Sequence, residues 1–241
     1  MERSSQAEEN EAKRWQIFQG HLKKVCRSNS FQKNRFPELS KWESWSGFDD
    51  FIQSCPLTTK QELEQDQVSN PPHGSNFTFP LDQYLRYSKT SGTTGQGMEW
   101  MDTAEDWQWM LENWKLIIKA AGVASGDRCF FAFSFGPFLG FWTAYEAAVQ
   151  AGCVCIPGGG LSTEVRIRSI LENKVDYLFC TPTYARRMLE TAREQQIDLQ
   201  NHQLKKIIVA GECGGSSPEL RKQMDEAWSS DSLLYDHYGM T

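Results

Sequence analysis

Tyr87-Ser88-Lys89-Thr90-Ser91-Gly92-Thr93-Thr94-Gly95-Gln96-Gly97 packs three glycines and five Ser or Thr hydroxyls into eleven residues. Glycine permits positive φ and close backbone approach, and each hydroxyl donates a hydrogen bond, so the composition suits an anion. Upstream, Leu81 to Tyr87 reads as extended chain; downstream, Met98-Glu99-Trp100-Met101 alternates apolar and polar and reads as a second short strand. The segment is expected to be a loop between two strands, with amides and hydroxyls able to cradle a polyphosphate. It is not a Walker A loop, which needs Gly-Lys-Ser/Thr opening a helix, because Gly95 is followed by Gln96-Gly97 and a strand. By composition alone it reads first as a flexible turn.

Beyond the loop, Thr103-Ala104-Glu105-Asp106 has the form of a capped helix start, and Trp107, Met110, Leu111, Trp114, Ile117, Ile118 and Ala121 form one apolar stripe. The chain then alternates. Strands are expected at Cys129–Phe133, Cys153–Ile156, Val175–Cys180, Ile207–Ala210 and Ser232–Tyr235, with helices at about 138–151, 163–173, 184–195 and 218–228 between them. Ser217-Pro218 supplies an N-cap and a first-turn proline. Such alternation predicts an α/β fold, a layered, mostly parallel sheet with helices on both faces. Ligands of such folds sit at the carboxyl ends of strands. Three polar or glycine-rich segments fall there: Ser134-Phe135-Gly136, Gly211-Glu212-Cys213 and Asp236-His237-Tyr238-Gly239. Together with the hydroxyl-rich loop they are expected to converge on one cleft.

Upstream of the loop the chain is predicted to be mainly helical over residues 1–80, with 81–241 forming the α/β part. Trp15, Phe18, Leu22 and Val25 recur at spacings of three and four, an amphipathic helix, and Thr59-Lys60-Gln61-Glu62 is a capping box. Twenty-five basic residues against 31 acidic ones, net −6, predict no basic surface for nucleic acid. No membrane span is expected, since the greasiest segment, Phe135 to Pro157, is broken by Pro137, several glycines and Glu146. The seven cysteines are scattered without a Cys-x-x-Cys pair, so no metal site is expected, and they suit a reducing, cytoplasmic compartment.

Read in order, these segments resemble the adenylate-forming superfamily, in its phenylacetate-CoA ligase branch. The resemblance runs from about residue 55 to 241: Pro56-Leu57-Thr58-Thr59-Lys60; the loop word Ser91-Gly92-Thr93-Thr94-Gly95; Gly122-Val123 with Gly126-Asp127-Arg128; Ile156-Pro157-Gly158-Gly159-Gly160; Cys180-Thr181-Pro182-Thr183-Tyr184-Ala185; Ala210-Gly211-Glu212; and Asp236-x-Tyr238-Gly239-x-Thr241. The resemblance implies an enzyme that uses ATP to adenylate an aryl or arylacetic carboxylic acid and then passes the acyl group to coenzyme A. Loading of a carrier protein, or a non-catalytic nucleotide-binding role, are the alternatives. It further implies that Thr90, Ser91, Gly92, Thr93, Thr94 and Gly95 hold the terminal phosphates, and that Ala210, Gly211 and Glu212 line the adenine slot. Tyr238 would stack on the base with Asp236 at its amino edge and Gly239 beside it. Thr241 would approach the α-phosphate as the catalytic residue, and Phe135, Gly136 and Phe138 would form the acyl pocket.

Two departures stand out. Gln96-Gly97-Met98 replaces the usual x-Pro-Lys or x-Pro-Thr, and Cys213 stands where proline is common. The resemblance also places a Mg²⁺-holding glutamate, a ribose-binding aspartate and a C-terminal domain with an adenylation lysine beyond Thr241. The 241 residues are therefore expected to be part of a longer ligase, inactive alone, with a natural short form that keeps a nucleotide-like cleft as the alternative. Ordering eight loop residues costs about 8–16 kcal/mol, and four or five charge-assisted hydrogen bonds return about 6–15 kcal/mol, so the loop is expected to order only with nucleotide.

Overall fold

The computed structural model describes residues 2–90, 97–230 and 233–238. The chain divides into two compact units, Met1–Ala104 and Glu105–Thr241, a division that falls downstream of the boundary expected near residue 80.

In the first unit, α1 (Glu2–Ser28) presents the expected stripe, and its partner lies in the same unit. Trp15, Phe18, Leu22 and Val25 pack with Phe36, Leu39, Trp45, Phe48 and Phe51. Trp15 meets Phe48 edge-on at 5.1 Å and Phe18 meets Phe51 at 4.7 Å. The aromatics between residues 31 and 51 showed no period because they come from short pieces: α2 (Ser30–Arg35), a 3-10 turn (Pro37–Ser44) and α3 (Phe48–Ser54). Helix α4 (Lys60–Ser69) opens on the capping box read from sequence: Thr59 Oγ1 accepts from the Glu62 amide, and the Glu62 carboxylate accepts from the Thr59 amide at 2.7 Å.

A hairpin completes this unit. Strands β1 (Tyr84–Lys89) and β2 (Glu99–Thr103) are antiparallel, with Lys89 opposite Glu99. Residues Leu81–Gln83 were expected to be extended; they form a 3-10 turn, set up by Pro80 at φ −54 and closed by the Gln83 amide on the Pro80 carbonyl at 3.0 Å.

The second unit carries the alternation. Helix α5 (Ala104–Ala120) leads into β3 (Arg128–Phe131), α6 (Leu139–Gln150), β4 (Val154–Pro157), α7 (Thr163–Glu172), β5 (Tyr177–Cys180), α8 (Pro182–Glu194), β6 (Lys206–Val209), α9 (Pro218–Trp228) and β7 (Leu234–Asp236). The sheet order is β4-β3-β5-β6-β7 and every pairing is parallel. Helices cover both faces. Phe130, Leu178, Cys180, Ile207 and Val209 point toward α7, α8 and α9, packing on Ile167, Ile170, Met188, Leu220, Met224 and Trp228. The alternate residues Cys129, Phe131, Tyr177, Phe179 and Ile208 face α5 and α6. Burial on both sides explains why these strands read as continuous apolar runs.

At the amino edge of this sheet the strand starts are stitched by charge. Lys205 reaches Asp127 at 2.6 Å and Asp176 at 3.0 Å. The same two carboxylates accept backbone amides, Asp127 from Ala124 at 2.7 Å and Asp176 from Arg128 at 2.9 Å. The carboxyl edge is built differently, and the candidate site lies there.

Candidate nucleotide site

Because all five strands run parallel, their carboxyl ends share one edge, carrying in turn the turn after β4, the Ser134–Gly136 loop after β3, the start of α8 after β5, the Ala210–Ser217 loop after β6, and the segment after β7. The crossovers leaving β3 and β5 go opposite ways across the sheet, a topological switch point, where such sheets bind ligands.

Strands β6 and β7 bring five of the expected adenine-side residues together. Val209 is paired with Asp236, so Ala210-Gly211-Glu212 leaves the sheet beside Asp236 and Tyr238. Gly211, at φ +88, turns the chain and delivers Glu212 to the start of α8. There the Glu212 carboxylate accepts from the Thr183 hydroxyl at 2.5 Å and from its amide at 3.3 Å. An anion at a helix amino end is favoured by the helix dipole and the open amides. The same helix is capped by Thr181, whose hydroxyl accepts from the Tyr184 amide at 3.3 Å. Asp236 accepts from the Ser216 hydroxyl, tying the far end of the loop to β7. Tyr238 is 81% exposed.

His237, between them, extends the β6–β7 pairing through its amide to the Val209 carbonyl at 2.9 Å and sets its ring edge-on to Trp114 at 4.9 Å. Burial pushes its pKa below the ordinary value, an effect partly opposed by the Asp236 charge. Cys213, next to Glu212, is exposed, whereas Cys129 and Cys180 are buried and the other four thiols are intermediate. Burial raises the pKa of those six, Cys155 to about 12.

On the β3 side the expected acyl-pocket residues form an aromatic group. Phe135, at φ +52, has Trp142 at 5.0 Å and Tyr145 at 5.4 Å, both edge-on. The Gly136 carbonyl accepts from the Trp142 indole at 3.1 Å and from the Phe138 amide at 2.7 Å. Phe138, the residue before α6, lies against Phe141 at 6.2 Å. Phe135 also packs on the α5/α6 core, so part of its surface is structural.

Thr90 belongs to the first unit. Its amide donates to the Met98 carbonyl and its hydroxyl accepts from the Met98 amide, each at 2.9 Å, which closes the root of the loop. Gly97 is obligatory there, because a Cβ would land on the Thr90 carbonyl. Just below, Glu99 is held on three sides: Gln67 exchanges two hydrogen bonds with its backbone (2.7 and 3.0 Å), His73 meets its carboxylate at 2.8 Å, and Lys89 lies 3.6 Å away. The His73 hydrogen bond, then those of Tyr87 and the Lys89 charge, lower the Glu99 pKa. Ser91, Gly92, Thr93, Thr94, Gly95, Gly239 and Thr241 lie outside the described residues.

Sequence reasoning missed three contributors. Thr183 sits inside a quoted word, but its partner Glu212 is 29 positions away. Trp142 reads as ordinary apolar helix. Arg166, on α7, is only 8% exposed. Its guanidinium donates to the Gly158 carbonyl at 2.8 Å, to Ala132 at 3.3 Å and to Phe133 at 3.5 Å, and lies 5.0 Å from the Tyr184 ring.

Known proteins share this architecture. The family model described as AMP-binding enzyme matches residues 41–241. Phenylacetate-coenzyme A ligase of Aromatoleum evansii is 30% identical over 190 residues, 77% of this chain and 40% of that protein. The enzyme of the same name from Pseudomonas putida is 28% identical over the same shares. The chain thus spans about 40% of the length of these relatives. The structure of 2-hydroxyisobutyryl-CoA ligase in complex with 2-HIB-AMP and CoA superposes with a TM-score of 0.83 at 24% identity, over 95% of this chain and 49% of that one, which establishes the common fold. With the family model matched from residue 41 to the last position, the chain belongs to the AMP-binding enzyme family.

Proposed function

We propose that this chain is the nucleotide- and acid-gripping part of an ATP-dependent acid-CoA ligase acting on an aryl or arylacetic carboxylate. The observation that carries the reading is the β6–β7 edge, where register places Ala210-Gly211-Glu212 beside Asp236 and the exposed Tyr238. The aromatic group around Phe135, two strands away on the same edge, supports an acyl end roughly 10 Å from β6 at the usual strand spacing.

In this reading a carboxylate oxygen attacks the α-phosphate of ATP, the bond to the β-phosphate breaks, and pyrophosphate leaves. The thiolate of coenzyme A then attacks the acyl carbon and AMP departs with the electron pair. Such chemistry needs positioning and charge neutralisation more than a protein nucleophile. Tyr238 would offer its face to adenine, and Asp236, oriented by Ser216, would accept from the exocyclic amine. Glu212, spent on the start of α8, would shape the slot through that contact. Thr90 and the residues after it would hold the terminal phosphates, with Thr241 near the α-phosphate. Mg²⁺ would enter with the triphosphate.

The test is acid-dependent exchange of pyrophosphate into ATP, using the protein with whatever its gene encodes beyond Thr241. Exchange followed by thioester formation with coenzyme A is expected. Exchange without coenzyme A use would point to carrier-protein loading, and nucleotide binding without exchange to a non-catalytic binding protein.

A further inference from the structure

Arg166 is a buried cation whose polar partners, among the described residues, are three backbone carbonyls: Ala132 and Phe133 at the end of β3 and Gly158 in the turn after β4. Nothing in the adenylation reading assigns it a task. Burying a charge this far is costly unless its donors are met. A guanidinium is suited to the position because Nε, Nη1 and Nη2 diverge in a fixed fork, each reaching a different carbonyl, whereas an ammonium is a point charge on a flexible stem.

The place of these carbonyls is informative. Ala132 and Phe133 lead directly into Ser134-Phe135-Gly136. Gly158 is pressed onto the same strand: its amide donates to the Phe131 carbonyl at 2.8 Å, and a Cβ there would stand 2.7 Å from the Phe130 ring. Gly159 continues against Phe135 itself, 3.3 Å from its ring for a built Cβ. On its other side Arg166 lies over Tyr184, whose hydroxyl is 3.2 Å from that of Thr163. One side chain therefore joins the turn after β4, the root of the aromatic loop and the start of α8, at the topological switch point.

We infer that Arg166 is the positioning residue for the acid-binding end of the site: by clamping the carbonyls of Ala132, Phe133 and Gly158 it holds the Phe135 loop in place, and so governs affinity for the acid without governing affinity for the nucleotide. This rests on the ligase reading, and the experiment separates the two. In the protein with whatever its gene encodes beyond Thr241, Arg166→Lys, Arg166→Met and, as a control at the opposite edge of the same sheet, Lys205→Met are compared for Tm and for KM of acid and of ATP in pyrophosphate exchange. All are labelled with 5-fluorotryptophan, the Trp142 resonance being assigned by Trp142→Phe. Arg166→Lys is expected to raise the acid KM roughly tenfold, since small misplacements of a binding wall are felt strongly, while the ATP KM stays within about twofold. Arg166→Met is expected to do worse, with lysine giving partial rescue. The Trp142 resonance is expected to shift in both Arg166 variants and stay put in Lys205→Met, even where Tm falls by a similar amount. Acid and ATP KM rising together in step with Tm, or an unmoved Trp142 resonance, would overturn the inference. An inactive wild-type protein would instead count against the ligase reading, and a Trp142 resonance unmoved in that protein would still refute the clamp.

Discussion

The two edges of the parallel sheet are held by opposite means. At the amino edge, side-chain charges do the joining: Lys205 bridges Asp127 and Asp176, and both carboxylates also accept backbone amides. At the carboxyl edge the backbone itself is gripped, by Arg166 on three carbonyls and by glycine turns pressed onto neighbouring strands. Charge pairs in solvent tolerate substitution and contribute modestly. Close backbone contact tolerates nothing larger than hydrogen. The edge with least room for change is the one that carries the candidate site.

Three measurements would break or sharpen this contrast. The largest effect is expected from Gly158→Val, whose side chain would meet the Phe130 ring and the Phe131 carbonyl; overpacking of this kind costs about 1–3 kcal/mol or more. Urea unfolding of the 241-residue chain checks it, and a loss below about 0.5 kcal/mol would show that the carboxyl edge has slack. Next comes Lys205→Met. Its ammonium is half exposed, so the loss should stay near or below about 1 kcal/mol despite two partners. The two carboxylates raise the folded pKa of Lys205 above its ordinary 10.5, so its contribution is complete below that value and fades as pH rises through the folded pKa. The stability gap between wild type and variant should therefore be constant from pH 7 to 9 and narrow in strong alkali; a gap that widens there would contradict the staple.

The smallest effect belongs to the carboxyl edge and has the opposite sense. Burial lowers the folded pKa of His237 below its ordinary 6.5, so the unfolded chain takes up the proton first. Stability should fall as pH drops through that ordinary value toward the folded pKa, with no penalty above it. His237→Phe should remove this slope when the two Tm profiles are subtracted between pH 7.5 and 5. Parallel profiles would mean that His237 is not kept neutral by its surroundings.

Most of the architecture could be read from local signals. Capping words such as Thr59-x-x-Glu62, and apolar runs buried on both faces, announce their elements without distant partners. Ends of the parallel strands were off by up to two residues, because the last pairs of a short parallel ladder are decided by neighbours. At the site, Ala210–Glu212 and Asp236–Tyr238 were legible as words, but the contact of Glu212 with Thr183 was not. A carboxylate in a loop reads as solvated until the fold supplies a helix start. Arg166 was hidden for the same reason: a charged residue beside Ile167 and Ile170 looks like the wet side of α7, and only the β3 and β4 carbonyls reveal that it faces inward.

The uneven burial of the thiols has a practical side. Six have pKa values raised by burial, and the exposed one, Cys213, adjoins Glu212. A maleimide dye added near neutral pH would therefore attach first at the rim of the proposed adenine slot, giving a test of its occupancy without any engineered cysteine.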